Sequence, residues 1–396
     1  MASIRKRGDS YQIRVSCGYD SRGEQITQTM TWRPPEGMTE KHIEKELQRQ
    51  AVLFEEKCLK GQVTANIKFE DFAEQWFSEY ARPNLRNTSY ERMLQLRDRV
   101  YPAIGHLRLD KVTTRHIQKF INDLALNGRS KKTGKPLSRK TAVHHLSFIS
   151  DVFGYAVRIG MLSDNPASRV FVPKGEKHEK SIYTLDEIRL LLQLLETAPT
   201  KYRAFFTLAI YTGFRRGELL GLEWKDIDWE TGVIRVRRTS NYTAEKGTYT
   251  DTTKTKKSIR DMKLPVFVID LLKAFKSEQD AERKRIGTKW VYTDRLFVKW
   301  NGLPMNNNTP YFWFSEFCEA NHFRFCDIHS LRHFFASSLI NANVDLVAVS
   351  AALGHSTVST TSNIYLHAFQ EASARASNAI AEVLDFGNKK DMKDEE

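Results

Sequence analysis

Apolar and polar positions change period along the chain. Over IRKR, YQIRVSC and QITQTMTW, at residues 4–7, 11–17 and 25–32, apolar and β-forming residues alternate with polar ones, the pattern of half-buried strands. Gly8-Asp9 and the DSRGE stretch at 20–24 predict the turns between them. After Pro34-Pro35 the period lengthens, predicting a helix over 39–59 with Thr39 as its cap and Glu40 in its first turn. Three strands and a helix therefore make a small module over residues 1–65. From 66 to 172 the pattern is helical throughout, with helices expected at 69–80, 87–100, 114–125 and 139–159. Asn87 or Thr88, and Thr113 or Thr114, are the expected caps. Gly160 and Asn165-Pro166 close this region, and the charged, Pro- and Gly-containing FVPKGEKHEKS predicts an exposed linker at 173–182.

Residues 183–386 form a third, mixed region. Thr184 followed by Glu187 is a capping box that starts a helix reaching 195. An apolar helix follows at 202–212, then strands at 233–238 and 258–264 flanking a polar turn region. Further helices are expected at 312–320, 330–341, 346–353, 359–367 and 370–384. In the last of these Phe369, Ala372, Ala376, Ala379, Ile380, Val383 and Leu384 keep helical spacing. The tail at 387–396 is charged and expected to be disordered. The fold class is mainly α with small β elements, an α+β arrangement.

Composition narrows the partners. Among 396 residues, 61 Lys and Arg face 48 Asp and Glu, a net charge of +13, which suits a polyanion, most commonly nucleic acid. An ordinary solvated basic surface would give the same total. The charge is also local. RSKKTGKPLSRK places Arg129, Lys131, Lys132, Lys135, Arg139 and Lys140 in one loop without an acid, directly before a helix N-terminus, where phosphates bind well. Arg5, Lys6, Arg7, Arg14 and Arg22 sit on the strands and turns of the first module, where a sheet face can read a DNA groove. Cys17, Cys58, Cys318 and Cys326 form no CxxC pair, which argues against zinc and for a reduced, cytosolic protein. The N-terminus lacks the apolar core of a signal peptide, and no apolar run is long enough to span a membrane.

Candidate chemistry gathers in the third region as four clusters: TGFRRGELLGLEW from Thr212, KTKKSIRDMKLP from Lys254, HSLRHFFAS from His329, and LGHSTVSTTSNIYLH from Leu353. Singly, each has an ordinary structural account. Arg215 can pair with Glu218 on a helix surface, the lysines can decorate a hairpin, and Tyr365 can be a half-buried core residue. Together they resemble the tyrosine recombinase (phage integrase) family, including integrases of phages and conjugative transposons. TGFRRGE matches the family's TG-x-R-x-x-E box. KTKKSIR matches its K-T-x-x-S-x-R turn, and HSLRH its H-x-L-R-H box. LGH followed ten residues later by Tyr365 matches the last.

The resemblance implies a site-specific recombinase that cuts and rejoins DNA through a 3′-phosphotyrosyl bond and a Holliday junction. It implies Tyr365 as nucleophile, Arg215 and Arg332 on the phosphate oxygens, Lys254 as general acid with Lys256 as local competitor, His329 assisting proton transfer, and His355 on the phosphate. Glu218 and His333 would hold their neighbours in place. Guanidiniums stay charged at physiological pH and bind phosphate oxygens bidentately, so the scheme calls for no metal and no other cofactor. The resemblance further implies an arm-type DNA-binding domain at 1–65, a SAM-like core-binding domain at 66–172, and a catalytic domain with a C-terminal helix at 183–386. These would close as a C-shaped clamp on double-stranded DNA. It also implies a tetramer with the C-terminal helix packing between protomers, an excisionase-type DNA-bending partner, and a home in the bacterial cytoplasm on the DNA of a mobile element. A type IB topoisomerase-like nicking-resealing enzyme and a catalytically silent DNA-binding regulator are the alternatives left open by sequence.

Overall fold

A computed structural model describes residues 2–19, 23, 25–59, 67–175, 182–252, 258–355 and 357–364. The chain divides into two compact units, residues 1–177 and 178–396. Much of the expected turn at 20–24, most of the linker, the end of the helix expected at 359–367, the helix at 370–384 and the tail lie outside the described residues.

In the first unit, β1 (Ser3–Arg7), β2 (Ser10–Tyr19) and β3 (Gln25–Trp32) form an antiparallel sheet in sequence order. Arg7 pairs with Ser10, so Gly8-Asp9 makes a two-residue turn, and Gly8 takes the left-handed φ of +57° that such a turn needs. The helix α1 (Glu40–Leu59) lays Leu47, Ala51, Phe54 and Cys58 against Ile13 and Val15 of β2. The Thr39 hydroxyl meets the His42 ring nitrogen Nδ1 at 2.9 Å.

A separate all-helical core follows, built from α2 (Phe69–Trp76), α3 (Arg82–Asn84), α4 (Asn87–Val100), α5 (Thr114–Leu126) and α6 (Arg139–Arg158). The single helix expected at 69–80 instead widens into a π turn at Phe77–Ala81. That turn brings Trp76 and Phe77, neighbours in sequence, against one ring, Phe148, at 5.9 and 5.6 Å between centroids. The expected Asn87 or Thr88 cap is corrected. Arg86 is the extended N-cap residue, no side chain caps it, and Asn87 is already helical. Thr113 does cap α5, with His116 returning the bond, and Ser138 caps α6.

The second unit is organised around α8 (Thr200–Thr212), which is apolar on nearly every side and buried from Ala204 to Ile210. Before it, α7 (Leu185–Leu195) begins at the Thr184/Glu187 capping box. After it come α9 (Arg216–Leu219), β4 (Ile227–Asp228), β5 (Val233–Val236), β6 (Arg238–Thr243), β7 (Gly247–Thr252) and β8 (Arg260–Lys263). The helices α10 (Val266–Ile286), α11 (Thr309–Ala320), α12 (Ile328–Asn341), α13 (Leu346–Leu353) and α14 (Val358–Ile364) complete it. Strands β4, β5 and β8 make one antiparallel sheet, and β6 and β7 a separate hairpin.

The strand expected at 233–238 therefore stops early, and the polar region after it contains strands. Arg238 explains the break. Its guanidinium reaches buried Asp226 and half-buried Glu223, at 3.2 and 3.0 Å, and so anchors a new direction of the chain. The long α10 was not expected either. Its apolar start, VFVIDLL, packs on α8, and its second half is charged.

Phe148 is fully buried at the centre of the helical core. Phe148→Ala is expected to cost roughly 3–5 kcal/mol of that unit's stability, measured as a lower denaturant midpoint in equilibrium unfolding.

Candidate active site

The site starts where α8 ends. Thr212 donates its hydroxyl to the Leu208 carbonyl at 2.6 Å and accepts the Phe214 N–H at 3.2 Å, closing the helix. Gly213 then turns with φ +59°, and a Cβ there would stand 2.5 Å from Cδ1 of Phe335. Only glycine satisfies both the angle and the space. Arg215 follows in extended conformation as the N-cap residue of α9, with Glu218 three residues on. The Arg215 N–H donates to Glu218 Oε2 at 3.0 Å, and Arg215 Nη1 to Oε1 at 2.7 Å. This is no surface pair, because the Glu218 side chain is 4% exposed and that of Arg215 is 37% exposed.

Arg332 comes from α12, which Asp327 caps through the His329 N–H. Its buried guanidinium donates to the Gly213 carbonyl at 2.8 Å and to the Leu353 carbonyl at 2.7 Å. Leu353 ends α13, and Gly354 closes that helix in the left-handed region at φ +64°. Arg215 Nη2 donates to the Gly354 carbonyl at 3.2 Å. Both arginines of the first and third motifs thus converge on the turn that carries the LGH motif.

His355 follows this turn, its Nδ1 sharing a hydrogen bond with the buried Thr361 hydroxyl of α14 at 2.7 Å. Burial, and then the positive charge of Arg332, Arg215 and Arg260, push the His355 imidazole down to about 4. It is therefore neutral at physiological pH, able to offer or accept a hydrogen bond at a phosphate without a charge of its own. On α12, exposed His329 and buried His333 stand edge to face at 4.9 Å. Lys254, Lys256 and Tyr365 lie outside the described residues.

Two participants went unassigned from sequence. Arg260, quoted as the last letter of KTKKSIR, is an internal partner of Glu218 at 2.9 Å with a side chain 7% exposed. Thr361 had only its place within STTS to mark it. No local signal marked Arg260, whose partners Glu218 and Phe214 lie more than forty positions away.

Arg5 and Arg14 are exposed on the sheet face that also carries Ser3, Gln12 and Thr29. Lys6 departs from them. It pairs with Tyr11 on the face that packs on α1, its ammonium 5.9 Å from the Tyr11 ring. Arg129, Lys131, Lys132, Lys135, Arg139 and Lys140 are all exposed. Their loop folds back as a tight hairpin, Ser130 N–H to Lys135 carbonyl at 2.8 Å, and Arg139 is held to the Pro173 carbonyl at 3.1 Å.

Residues 182–372 match the model of the phage integrase family, and residues 68–125 that of the phage integrase N-terminal SAM-like domain. The chain belongs to the phage integrase family of site-specific tyrosine recombinases. A tyrosine recombinase XerC-like protein of Caldanaerobacter subterraneus is 27% identical to it, over 96% of this chain and 98% of its own length. The ICEBs1 integrase of Bacillus subtilis is 23% identical over 96% and 100%. Among solved structures, the Tn1549 transposon integrase in complex with a circular intermediate DNA has the same fold, with a TM-score of 0.65 at 20% identity, covering 78% of this chain and 99% of that one. No described helix is long and apolar enough to cross a membrane.

The depressed His355 value has a consequence for stability. Between about pH 6.5 and 4 the unfolded chain binds a proton at this ring that the folded chain refuses. Stability should therefore fall as pH drops through that window and level off below it. His355→Gln is expected to flatten that part of a stability–pH curve, measured by denaturant unfolding at each pH.

Proposed function

We propose that this recombinase serves as the integrase of a mobile genetic element, breaking and rejoining DNA at Tyr365. The observation that carries the reading is the convergence of Arg215, Arg332 and neutral His355 on the turn after α13, ten residues before Tyr365 in sequence. In the reaction, the Tyr365 oxygen bonds to phosphorus as the bond to the 5′ oxygen breaks. The departing oxygen takes a proton, with Lys254 as donor. The phosphorane transition state gathers charge on its equatorial oxygens, which Arg215 and Arg332 hold. His355 hydrogen-bonds the same phosphate, and His329 aids proton transfer at the nucleophile. Because bond energy stays in the 3′-phosphotyrosyl link, rejoining requires no nucleotide.

The mobile-element reading is supported by two things: the sheet module that precedes the helical domain, and full-length similarity to an integrase of an integrative element. The module acts as an arm-type DNA-binding domain through Arg5 and Arg14. Residues 66–172 act as the core-binding domain, with the loop from Arg129 to Lys140 on the DNA backbone. Four protomers exchange strands through a Holliday junction, the segment after Tyr365 packing between them. A small DNA-bending excisionase sets the direction, in the bacterial cytoplasm.

The test is covalent trapping on a nicked duplex, from which the short product escapes. Incubated in EDTA with nicked duplexes carrying element ends, the protein is expected to yield an adduct on a denaturing gel, and Tyr365→Phe none. An adduct that survives Tyr365→Phe, or binding with no adduct on any element end, would overturn the reading. In the same assay Thr361→Val, which removes the His355 partner, is expected to slow adduct formation about 10-fold, as a misplaced site residue does. Thr361→Ser, which keeps the hydroxyl, should restore most of the rate at unchanged DNA affinity.

A further inference from the structure

Glu218 is a buried carboxylate with two guanidinium partners, Arg215 at 2.7 Å and Arg260 at 2.9 Å. The trio is graded in exposure. Glu218 and Arg260 are 4% and 7% exposed, and Arg215 is 37% exposed. Two arginines and one glutamate leave one net positive charge, and the member that reaches solvent is Arg215. Were Glu218 paired with Arg215 alone, the buried carboxylate would cancel that charge and draw the guanidinium inward. An isolated buried carboxylate is costly enough to hold its only counter-ion tightly.

Among the described residues Arg260 has no second acid to serve. Its guanidinium lies over the Phe214 ring at 4.7 Å, Nη1 donates to the Ser258 carbonyl at 3.2 Å, and Nε makes no hydrogen bond among the described residues. It also packs directly beneath the LGH turn, for a Cβ on Gly354 would stand 2.9 Å from Arg260 Nη1. One side chain therefore touches both supports of the phosphate-binding groups: the acid that holds Arg215 and the turn that accepts from Arg215 and leads to His355.

We propose that Arg260 is a positioning residue for DNA cleavage: by neutralising Glu218 it keeps the charge of Arg215 available to the scissile phosphate, and by its contact with Gly354 it fixes the turn that leads to His355. This rests on the role proposed above for Arg215. Arg260 itself does not touch DNA.

The experiment is a rescue in the full-length protein. Arg260→Met keeps the stem and loses the charge. It is expected to slow single-turnover cleavage of a nicked duplex by about 10–100-fold, the scale of a displaced catalytic group, at little change in DNA affinity. Adding Glu218→Gln to Arg260→Met removes the carboxylate that would cancel Arg215, and should recover part of the lost rate. A merely structural Arg260 predicts the reverse, a double variant slower than Arg260→Met, and that result would overturn the proposal. Arg260→Lys, which restores charge, serves if Arg260→Met folds poorly, and its expected rate lies between wild type and Arg260→Met. A second readout needs no DNA. At present burial favours the neutral acid, but Arg260 and Arg215 outweigh it and hold the Glu218 carboxyl below its usual range. The stability this lends is full above the unfolded carboxylate range and is lost as pH falls through the lower folded value. Arg260→Met should raise the folded value and shift acid destabilisation to higher pH, and an unmoved acid limb would count against the network. No adduct from the unsubstituted protein would instead sink the functional reading, while the acid limb would still decide whether Arg260 neutralises Glu218.

Discussion

A single buried carboxylate organises the catalytic unit. Glu218 accepts from the Arg215 backbone and guanidinium and from Arg260, and so ties the start of α9 to the start of β8. In a low-dielectric interior a charge must be matched closely, and a matched charge then dictates the position of its partners. Helix α9 is only four residues long and could not set a side chain by its own rigidity. The ion network supplies what the short helix lacks.

The second constraint is the close approach of two helix-ending turns. Gly213 ends α8, Gly354 ends α13, and Arg332 spans the two by donating to the Gly213 and Leu353 carbonyls. Helix C-termini leave carbonyls unpaired, and a guanidinium with several N–H donors satisfies such groups while keeping its charge. The same residue thus closes two helix ends and brings positive charge to the site. The glycines are needed for a matching reason: at both, a side chain would collide, with Phe335 at one turn and Arg260 at the other.

The first unit follows a different logic. Its sheet module and its helical bundle have separate apolar cores, and the basic residues ride on the outside of each. Here positive charge is spread over exposed side chains and a tight loop rather than buried and paired. Such groups interact with a polyanion through screened, additive contacts, whereas the paired charges of the second unit act at defined positions.

Much of this was legible in the chain itself. Helix ends written by local chemistry were readable, as with Thr184 and Glu187 or Thr113, because a cap involves residues three apart. Arg215, Arg332 and His355 could be singled out because their motifs are short and distinctive, and the structure brings them together. What tertiary structure alone decided involves residues far apart. The Arg260–Glu218 bond spans 42 positions and the Arg215–Gly354 bond 139, beyond any local pattern. The β6–β7 hairpin escaped because its strands are polar and its course follows the anchoring of Arg238 to distant acids. The half-charged α10 escaped because its helical character rests on packing against α8. Lys6 was grouped with Arg5 and Arg14 by charge, yet strand pairing turned it to the other face. Side chains along a strand change face at every residue, so adjacent Arg5 and Lys6 point to opposite sides, and composition does not record which face is which. Local sequence set the ends of elements and the identity of the reactive groups, while long-range pairing of buried charge set where those groups point.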